Sequence, residues 1–240
     1  MSAPSALRPP AAVPRTVRPA SRGPLIALTA LLAAAALTDL FAVYAGVRLR
    51  GLLGGDQGFT AVPVDELRSA LELYGTTAGR SQLVAHLFCA VAFLVWFTAM
   101  RRASGPLAPE GFRQGAGWAL GAWFVPPANF VLPHRVAVDM WRACAPASSK
   151  GRRPLWPVNL WWGLFLGTAL LSRCGAASLD LAGTLPRLRA AVALSTVSDL
   201  LAVAATGAAA YFAVRLTTMQ RAKARLAQPD PAAGEVTPRR

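Results

Sequence analysis

The sequence contains few acidic residues, histidines and cysteines, and each shortage argues against a class of protein. Only 15% of its 240 residues are charged, with 11 acidic residues against 25 basic ones. Cys89, Cys144 and Cys174 are odd in number and share no C-x-x-C spacing, which argues against a disulfide framework. His86 and His134 lack the spacing of zinc ligands. Without an H-E-x-x-H, G-x-S-x-G, P-loop or G-x-G-x-x-G motif, the sequence predicts no enzyme, metal site or cofactor.

Long apolar runs are abundant instead, because 54% of the residues are hydrophobic. A helix that rises 1.5 Å per residue needs about 20 apolar residues to cross a hydrocarbon layer of about 30 Å. The predicted spans are residues 25–47, 82–100, 157–176 and 190–216. The third is marginal, since Arg173 comes before this length is complete. The predicted fold class is therefore all-α, an integral membrane four-helix bundle.

The basic residues predict the orientation of these spans. With four spans, one side of the membrane receives 18 of the 25 basic residues and the other receives seven. Basic residues are retained in the cytoplasm, so both termini should be cytoplasmic. The heavy use of Ala, Gly, Pro and Arg is typical of a GC-rich bacterial genome, which indicates the bacterial plasma membrane.

The predicted domains are a disordered basic tail at 1–23, a membrane domain at 24–217 and a second basic tail at 218–240. Basic residues near a membrane attract anionic lipid headgroups by about 1 kcal/mol each. The expected partners are accordingly the bilayer, anionic headgroups and a membrane protein or a second copy of the chain. Nucleic acid is not expected, because no groove-reading or stacking motif is present.

Two segments leave alternatives to this topology. Residues 115–132 form an uncharged run, but Pro126-Pro127 interrupts it, which favours two short pieces that re-enter or lie in the interface over a fifth span. Residues 25–38 have the length of a signal-peptide core. Apolar sequence resumes directly after Asp39, which favours a retained first span.

Two amphipathic helices are predicted between the spans. The first follows Pro63 and ends at Gly75 in the outer loop. The second, in the central loop, carries an apolar stripe of Val136, Met140 and Cys144 opposite Asp139 and two arginines. It is either a helix in the cytoplasmic interface or an ordinary packed helix.

Four ionisable residues in or beside the spans are the candidate site: Asp39, His86, Arg173 and Asp199. A carboxylate inside a membrane is costly unless it is paired, protonated or facing water. By helical rise, Asp39 and Asp199 lie at similar depths, about 12–15 Å below the outer edge. His86 and Arg173 come from the same side of the other two spans. The depths therefore predict a polar intramembrane cluster, either a site for a proton, ion or small polar ligand or a structural clasp between helices.

The central segment G-W-A-L-G-A-W-F-V-P-P-A-N at 117–129, with the tryptophans that follow it, is distinctive. It resembles the bacterial membrane family called domain of unknown function 4328, in which a Pro, a W-R/K pair and a W-W pair follow the same pattern. The matching residues of this chain are Trp118, Trp123, Pro126, Asn129, Pro133, Trp141, Trp161 and Trp162. Ala122, Pro127, His134 and Arg135 depart from the pattern.

The resemblance implies a four-span membrane protein with both termini inside, and it implies no activity. Its motif is interpreted as a rigid broken helix in which Asn129 caps the second half. The motif would serve either as an interface anchor of indoles and prolines or as a ligand groove.

The predicted function is that of a non-enzymatic integral membrane protein in envelope organisation, signalling or partner binding. The alternative is a small transporter or channel that uses Asp39, Asp199 and His86. An intramembrane aspartyl protease is disfavoured, because neither aspartate stands in a glycine-flanked pattern.

Overall fold

The computed structural model describes residues 17–54, 62–146 and 154–228, and the regular elements in these ranges are all helices. Seven α-helices are joined in places by shorter helical turns. In chain order they are α1 (Gly23–Leu53), α2 (Val64–Leu71), a π-helical turn (Glu72–Ala78), α3 (Gly79–Ser104), a 3-10 turn (Gly105–Leu107), α4 (Trp118–Gly121), a 3-10 turn (Ala128–Phe130), α5 (Leu132–Cys144), α6 (Trp156–Asp180) and α7 (Leu185–Leu226).

Three helices of the described residues are long and apolar enough to cross a membrane. They are α1, the continuous helix Val64–Leu107 that contains α3, and α7. They contain the first, second and fourth predicted spans. The third predicted span lies in α6, which is 25 residues long but carries Asn159 and Arg173 among its apolar residues. A crossing by α6 therefore stays a prediction.

Helix α7 is the central element of the packing. It packs along α6 on one side and along α1 on the other, and α1 also packs against α3. Small residues bring these helices close together, because a Cβ at Gly46 would overlap the hydroxyl of Thr196, and one at Gly175 would lie 2.8 Å from Ser195 Oγ. In contrast, the backbones of α3 and α6 are far apart, and these two outer helices meet through aromatic side chains, as where Phe93 stacks on Trp161.

The C-terminal ends of α3 and α7 meet α5, which is buried along most of its length. Val136, Ala137 and Met140 are at most 2% exposed, and Asp139 is only 4% exposed. The backbone N–H of Arg113 donates to Asp139 Oδ2 at 3.4 Å. Asp139, which was predicted to lie opposite the apolar stripe, is therefore buried as the stripe is. Of the two alternatives for this segment, the structure supports the packed helix.

The boundaries of the predicted tails also need correction. Residues 1–16 and 229–240 lie outside the described residues. Residues 17–22 are packed against α7, because Ala20 N donates to Gln220 Oε1 at 2.8 Å and Gln220 Nε2 donates to the carbonyls of Arg18 and Ala103. At the other end, α7 continues to Leu226, ten residues beyond the predicted span. One buried amide thus ties the N-terminal segment to the last turns of α7.

Two loop predictions have different outcomes. The break in residues 115–132 is confirmed, since α4 and the turn Ala128–Phe130 are separate pieces on either side of a cis Pro126-Pro127 bond. The predicted helix end at Gly75 was wrong, because the chain passes through the π-helical turn directly into α3. Gly75 stays helical here, and a side chain at this position would meet no neighbour within 4 Å.

Candidate functional site

Three of the four predicted cluster residues meet through a glutamine. Gln82 Nε2 donates hydrogen bonds to Asp39 Oδ1 and to Asp199 Oδ1, both at 3.0 Å. The Nε2 atom of His86 lies 3.6 Å from Asp39 Oδ2. These residues come from α1, α3 and α7, so this polar group (Asp39, Gln82, His86 and Asp199) links the three helices that are apolar enough to cross a membrane.

The hydrogen bonds of His86 fix where its protons are. Its Nδ1 lies 2.9 Å from the carbonyl oxygen of Gln82, and a carbonyl can only accept, so Nδ1 carries a hydrogen. In the neutral ring, Nε2 would then point a lone pair at Asp39 Oδ2. Two acceptors face each other there unless a proton lies between them. At 3.6 Å the two atoms are beyond hydrogen-bond distance, so the contact is an ion pair only when the ring is protonated.

Burial differs within the polar group. The side chain of Asp39 is 0% exposed, whereas that of His86 is 47% exposed. Asp39 Oδ2 has no hydrogen-bond partner within 3.5 Å. The polar atom beside it is His86 Nε2, at 3.6 Å. His86 is thus the member through which the buried aspartate can exchange a proton with its surroundings.

Arg173 does not join this group. It is exposed on α6, and the hydrogen bonds of the polar group seen in the described residues do not reach it. Depth alone predicted that it would converge, but α6 packs on the far side of α7 from α1. Gln82 was missed as a site residue, although its spacing of four residues from His86 places both on one face of α3.

A cavity of about 380 Å³ lies between α3 and α6. Its floor is made of small residues of α7, and its walls are apolar side chains of the two outer helices. The residues that line the cavity include His86, Cys89, Phe93, Trp123, Phe165, Thr168, Ala202 and Ala205. His86 lies at one end of the cavity and Trp123 at the other. From His86 to Leu94, the last α3 residue that lines it, the helical rise is about 12 Å.

Two polar atoms in the cavity walls are buried without a partner. Trp123 Nε1, a donor, and Thr168 Oγ1 make no hydrogen bond within the described residues. Most buried polar groups in proteins are hydrogen-bonded, and an unpaired one costs about 1–3 kcal/mol. Both residues line the cavity, but these two atoms are themselves buried, so of the three side chains only the half-exposed His86 offers a ligand an accessible polar group.

The tryptophans of the family motif form a buried aromatic cluster. Trp161 stacks on Phe212 of α7 with ring centroids 4.8 Å apart and planes 10° apart, and Phe93 stacks on Trp161 at 5.4 Å. Trp141, Trp161 and Trp162 are only 3%, 3% and 8% exposed. Their predicted role as interface anchors was therefore wrong. Trp118 is 41% exposed and remains compatible with that role.

The remaining motif residues shape the turn around the aromatic cluster. Trp123 meets Trp162 edge-on at 6.0 Å, which places its ring between α3 and α6. Pro133 lies in the first turn of α5 and is buried, and Pro126 is exposed. Asn129 does not cap α5, because the N-cap position belongs to Val131 and Asn129 Oδ1 has no partner.

No group of three His, Cys, Asp or Glu residues in the described parts of the chain could hold a metal ion. The polar group has only Asp39, Asp199 and His86 as such residues, and Gln82 stands between the carboxylates. The chemistry that this arrangement offers is therefore proton transfer and hydrogen bonding.

Comparison with known families agrees with the resemblance seen in the sequence. The family described as Domain of unknown function (DUF4328) matches residues 62–218, which is well over half of the chain. The chain therefore belongs to this family, and the prediction from the tryptophan motif is confirmed. No curated protein and no solved structure matches the chain.

Proposed function

We propose that this family member is a non-enzymatic protein of the bacterial plasma membrane that binds a small, largely apolar molecule between its helices. Four helices would cross the membrane, with both termini in the cytoplasm. The binding event would serve envelope organisation, signalling or the recruitment of a partner, which is a membrane protein or a second copy of the chain. Residues 115–132 would re-enter or lie in the cytoplasmic interface.

The cavity between α3 and α6 carries this proposal. Its volume of about 380 Å³ is within the usual range of small-molecule sites, about 300–1,000 Å³. It lies where the backbones of the two helices are far apart, so in a bilayer a ligand would enter from the lipid. The walls offer aromatic rings, and the floor of alanines leaves room for the ligand body.

The polar atoms define the expected ligand further. His86, which lies beside Asp39, is at one end of the cavity, and the ring of Trp123 is at the other. A molecule of about 12 Å with an apolar body and a polar group at the His86 end would fit these walls. The expected class is therefore a small amphiphile, such as a medium-chain alcohol.

Photolabelling with a diazirine analogue of octanol tests the proposal directly. In the wild-type chain in lipid nanodiscs, we expect saturable labelling of cavity residues on α3 and α6, mapped by peptide mass spectrometry. The Ala205→Phe variant places a ring on the cavity floor and should abolish this labelling. Ala204→Phe is the matched control, because Ala204 is exposed on the same helix and does not line the cavity.

The outcomes separate the interpretations. If labelling does not saturate, or if the two variants reduce it by the same amount relative to wild type, the probe reports only its partition into lipid. Both variants must elute as folded monodisperse protein, which checks that the added ring has not disrupted the packing of α7. Competition by unlabelled octanol in the Ala204→Phe variant completes the control.

A small proton-linked transporter is the second candidate, and the approach of half-exposed His86 to the buried Asp39 favours it. The Asp39→Asn and Asp199→Asn variants, singly and together, should then reduce proton flux into liposomes, measured with an internal pH dye. Asp39→Asn should have the larger effect, since Asp199 accepts from Gln82 but is not placed against His86. If both variants fold and the wild type conducts no more protons than empty liposomes, the transporter reading is wrong.

The topology has its own test. A reporter fused after Arg240 should be active only in its cytoplasmic form, because 18 of the 25 basic residues lie on the side of both termini in a four-span arrangement. A periplasmic signal would mean that α6 does not cross, or that 115–132 does.

A further inference from the structure

We infer that a second cavity, between the N-terminal segment and α3, binds the phosphate-bearing headgroup of an anionic phospholipid. This cavity has a volume of about 410 Å³ and lies away from the site described above. Residues 18–21 and Pro24 form one wall, and the last turns of α3 form the other. The inference requires only that α3 crosses a membrane, and it does not depend on what occupies the first cavity.

The two basic side chains of this cavity, Arg18 and Arg102, are both exposed. No acidic residue in the described parts of the chain forms an ion pair with either of them. The neighbouring cations are already engaged. Arg101 donates to the carbonyl of Gln114 at 2.9 Å and lies over the ring of Phe112, and Arg221 donates to the carbonyl of Ala20.

An unengaged pair of guanidinium groups fits a phosphate well. Each guanidinium presents a planar fork of N–H donors that binds two phosphate oxygens at once. The two groups approach the cavity from different walls, since Arg18 belongs to the N-terminal segment and Arg102 to α3. A phosphate between them would be held from both sides.

The remaining walls indicate a lipid as the source of that phosphate. Trp96, Ala99 and Met100 line the cavity on the side of the apolar part of α3, whereas Arg102 follows the end of that apolar stretch. Charge is thus at one end of the cavity and apolar surface at the other. A phospholipid has the same polarity along its length, with phosphate at the headgroup level and acyl carbon below it. A free phosphate ion would gain nothing from the apolar wall.

The N-terminal segment is positioned by contacts outside the cavity. Gln220 holds its backbone by two hydrogen bonds, to Ala20 N at 2.8 Å and to the Arg18 carbonyl at 3.2 Å. Loss of this amide should displace Arg18 while leaving its charge in the chain. The site therefore depends on geometry, which distinguishes it from a general attraction of the basic tails to an anionic surface.

Native mass spectrometry of the full chain, released from nanodiscs of equal phosphatidylglycerol and phosphatidylethanolamine, tests the inference. Wild type should retain phosphatidylglycerol preferentially. The Arg18→Gln/Arg102→Gln variant should retain about thirtyfold less, because each of the two basic residues contributes about 1 kcal/mol. The Arg142→Gln/Arg225→Gln variant removes the same charge from the exposed ends of α5 and α7 and should retain nearly the wild-type amount.

Two further measurements test whether this cavity binds a lipid headgroup. The Gln220→Leu variant keeps both arginines and should lose retention as the cavity variant does. Equal loss in the Arg18/Arg102 and Arg142/Arg225 pairs would overturn the inference in favour of general surface charge. Inorganic phosphate added as a competitor should displace the lipid only weakly. Full displacement of the lipid by phosphate would show that the site takes a free anion. Retention of phosphate by a protein that retains no lipid would show the same.

Discussion

The contact between α1 and α7 at Gly46 predicts a large effect for a single added methyl group. A Cβ at this position would overlap Thr196 Oγ1 and lie 3.1 Å from Tyr74 Cε2. Thr196 is buried, and its hydroxyl donates to the carbonyl of Val192 at 2.8 Å. The side chain therefore cannot turn away without breaking that bond. Overpacking of this kind costs about 1–3 kcal/mol.

Gly207 on α7 provides the matched control for Gly46→Ala. A Cβ at Gly207 would meet nothing within 4 Å. Both substitutions gain the higher helix propensity of alanine, about 1 kcal/mol, so the difference between them isolates the contact. For a chain of this size, about 2–4 °C of Tm corresponds to 1 kcal/mol, and Gly46→Ala should therefore melt about 2–12 °C below Gly207→Ala.

Intrinsic tryptophan fluorescence during heating in detergent measures both Tm values. Thr196→Ala removes the overlapped hydroxyl, so adding it to Gly46→Ala should recover part of the loss, as a double-mutant cycle would show. Equal Tm values for Gly46→Ala and Gly207→Ala would refute the packing of α1 on α7 at this point.

Three other predictions concern the ends and the centre of the bundle. Gln220→Leu should speed deuterium exchange at residues 17–22, since the buried amide loses its bonds to them, whereas exposed Gln228→Leu should not. Burial raises the pKa of the Cys144 thiol to about 11, so the thiolate that reacts is scarcer than usual at pH 8. Iodoacetamide should then modify exposed Cys174 first, and the slower rate at Cys144 should rise as the pH is raised above 8. Trp161→Ala should lower the free energy of unfolding, measured by denaturant titration, by about 3–5 kcal/mol, because it removes a buried ring that stacks on Phe212. Trp156→Ala should lower it clearly less, because Trp156 is exposed.

Each of these three can fail in a defined way. Unchanged exchange at residues 17–22 would mean that Gln220 does not hold the N-terminal segment. Equal alkylation of Cys144 and Cys174 in the folded protein would contradict the burial of α5. If Trp156→Ala lowers the free energy of unfolding as much as Trp161→Ala does, Trp161 is not the more deeply buried of the two rings.

The candidate site was predictable in part, because depth along a helix follows from residue number alone. The positions of Asp39 and Asp199 in their apolar runs give similar depths, His86 enters from the same side, and the structure brings the three together. The same argument included Arg173, which fails because depth carries no information on which helices are neighbours. Gln82, the residue that joins both carboxylates, requires the rotation of α3 to be known.

Burial of the tryptophans was not predictable in the same way. An indole suits a membrane interface and a packed aromatic core equally well, so Trp141, Trp161 and Trp162 carry no local signal that separates the two. These rings are buried in an aromatic core only because α5, α6 and α7 pack against one another. Likewise, residues 17–22 have the composition of a disordered tail, yet Gln220, about 200 residues away, holds their backbone.

The sequence by itself determined the helices, the three runs apolar enough to cross a membrane, the break at Pro126-Pro127 and the family, because each depends on neighbours within a few turns. Tertiary structure decided which faces of those helices meet. The contact between His86 and Asp39, the cavity between α3 and α6 and the pair Arg18 and Arg102 all arise from side chains far apart in the chain. The physical reason is that periodicity fixes the side chains on one helix face, whereas close packing between faces selects their partners.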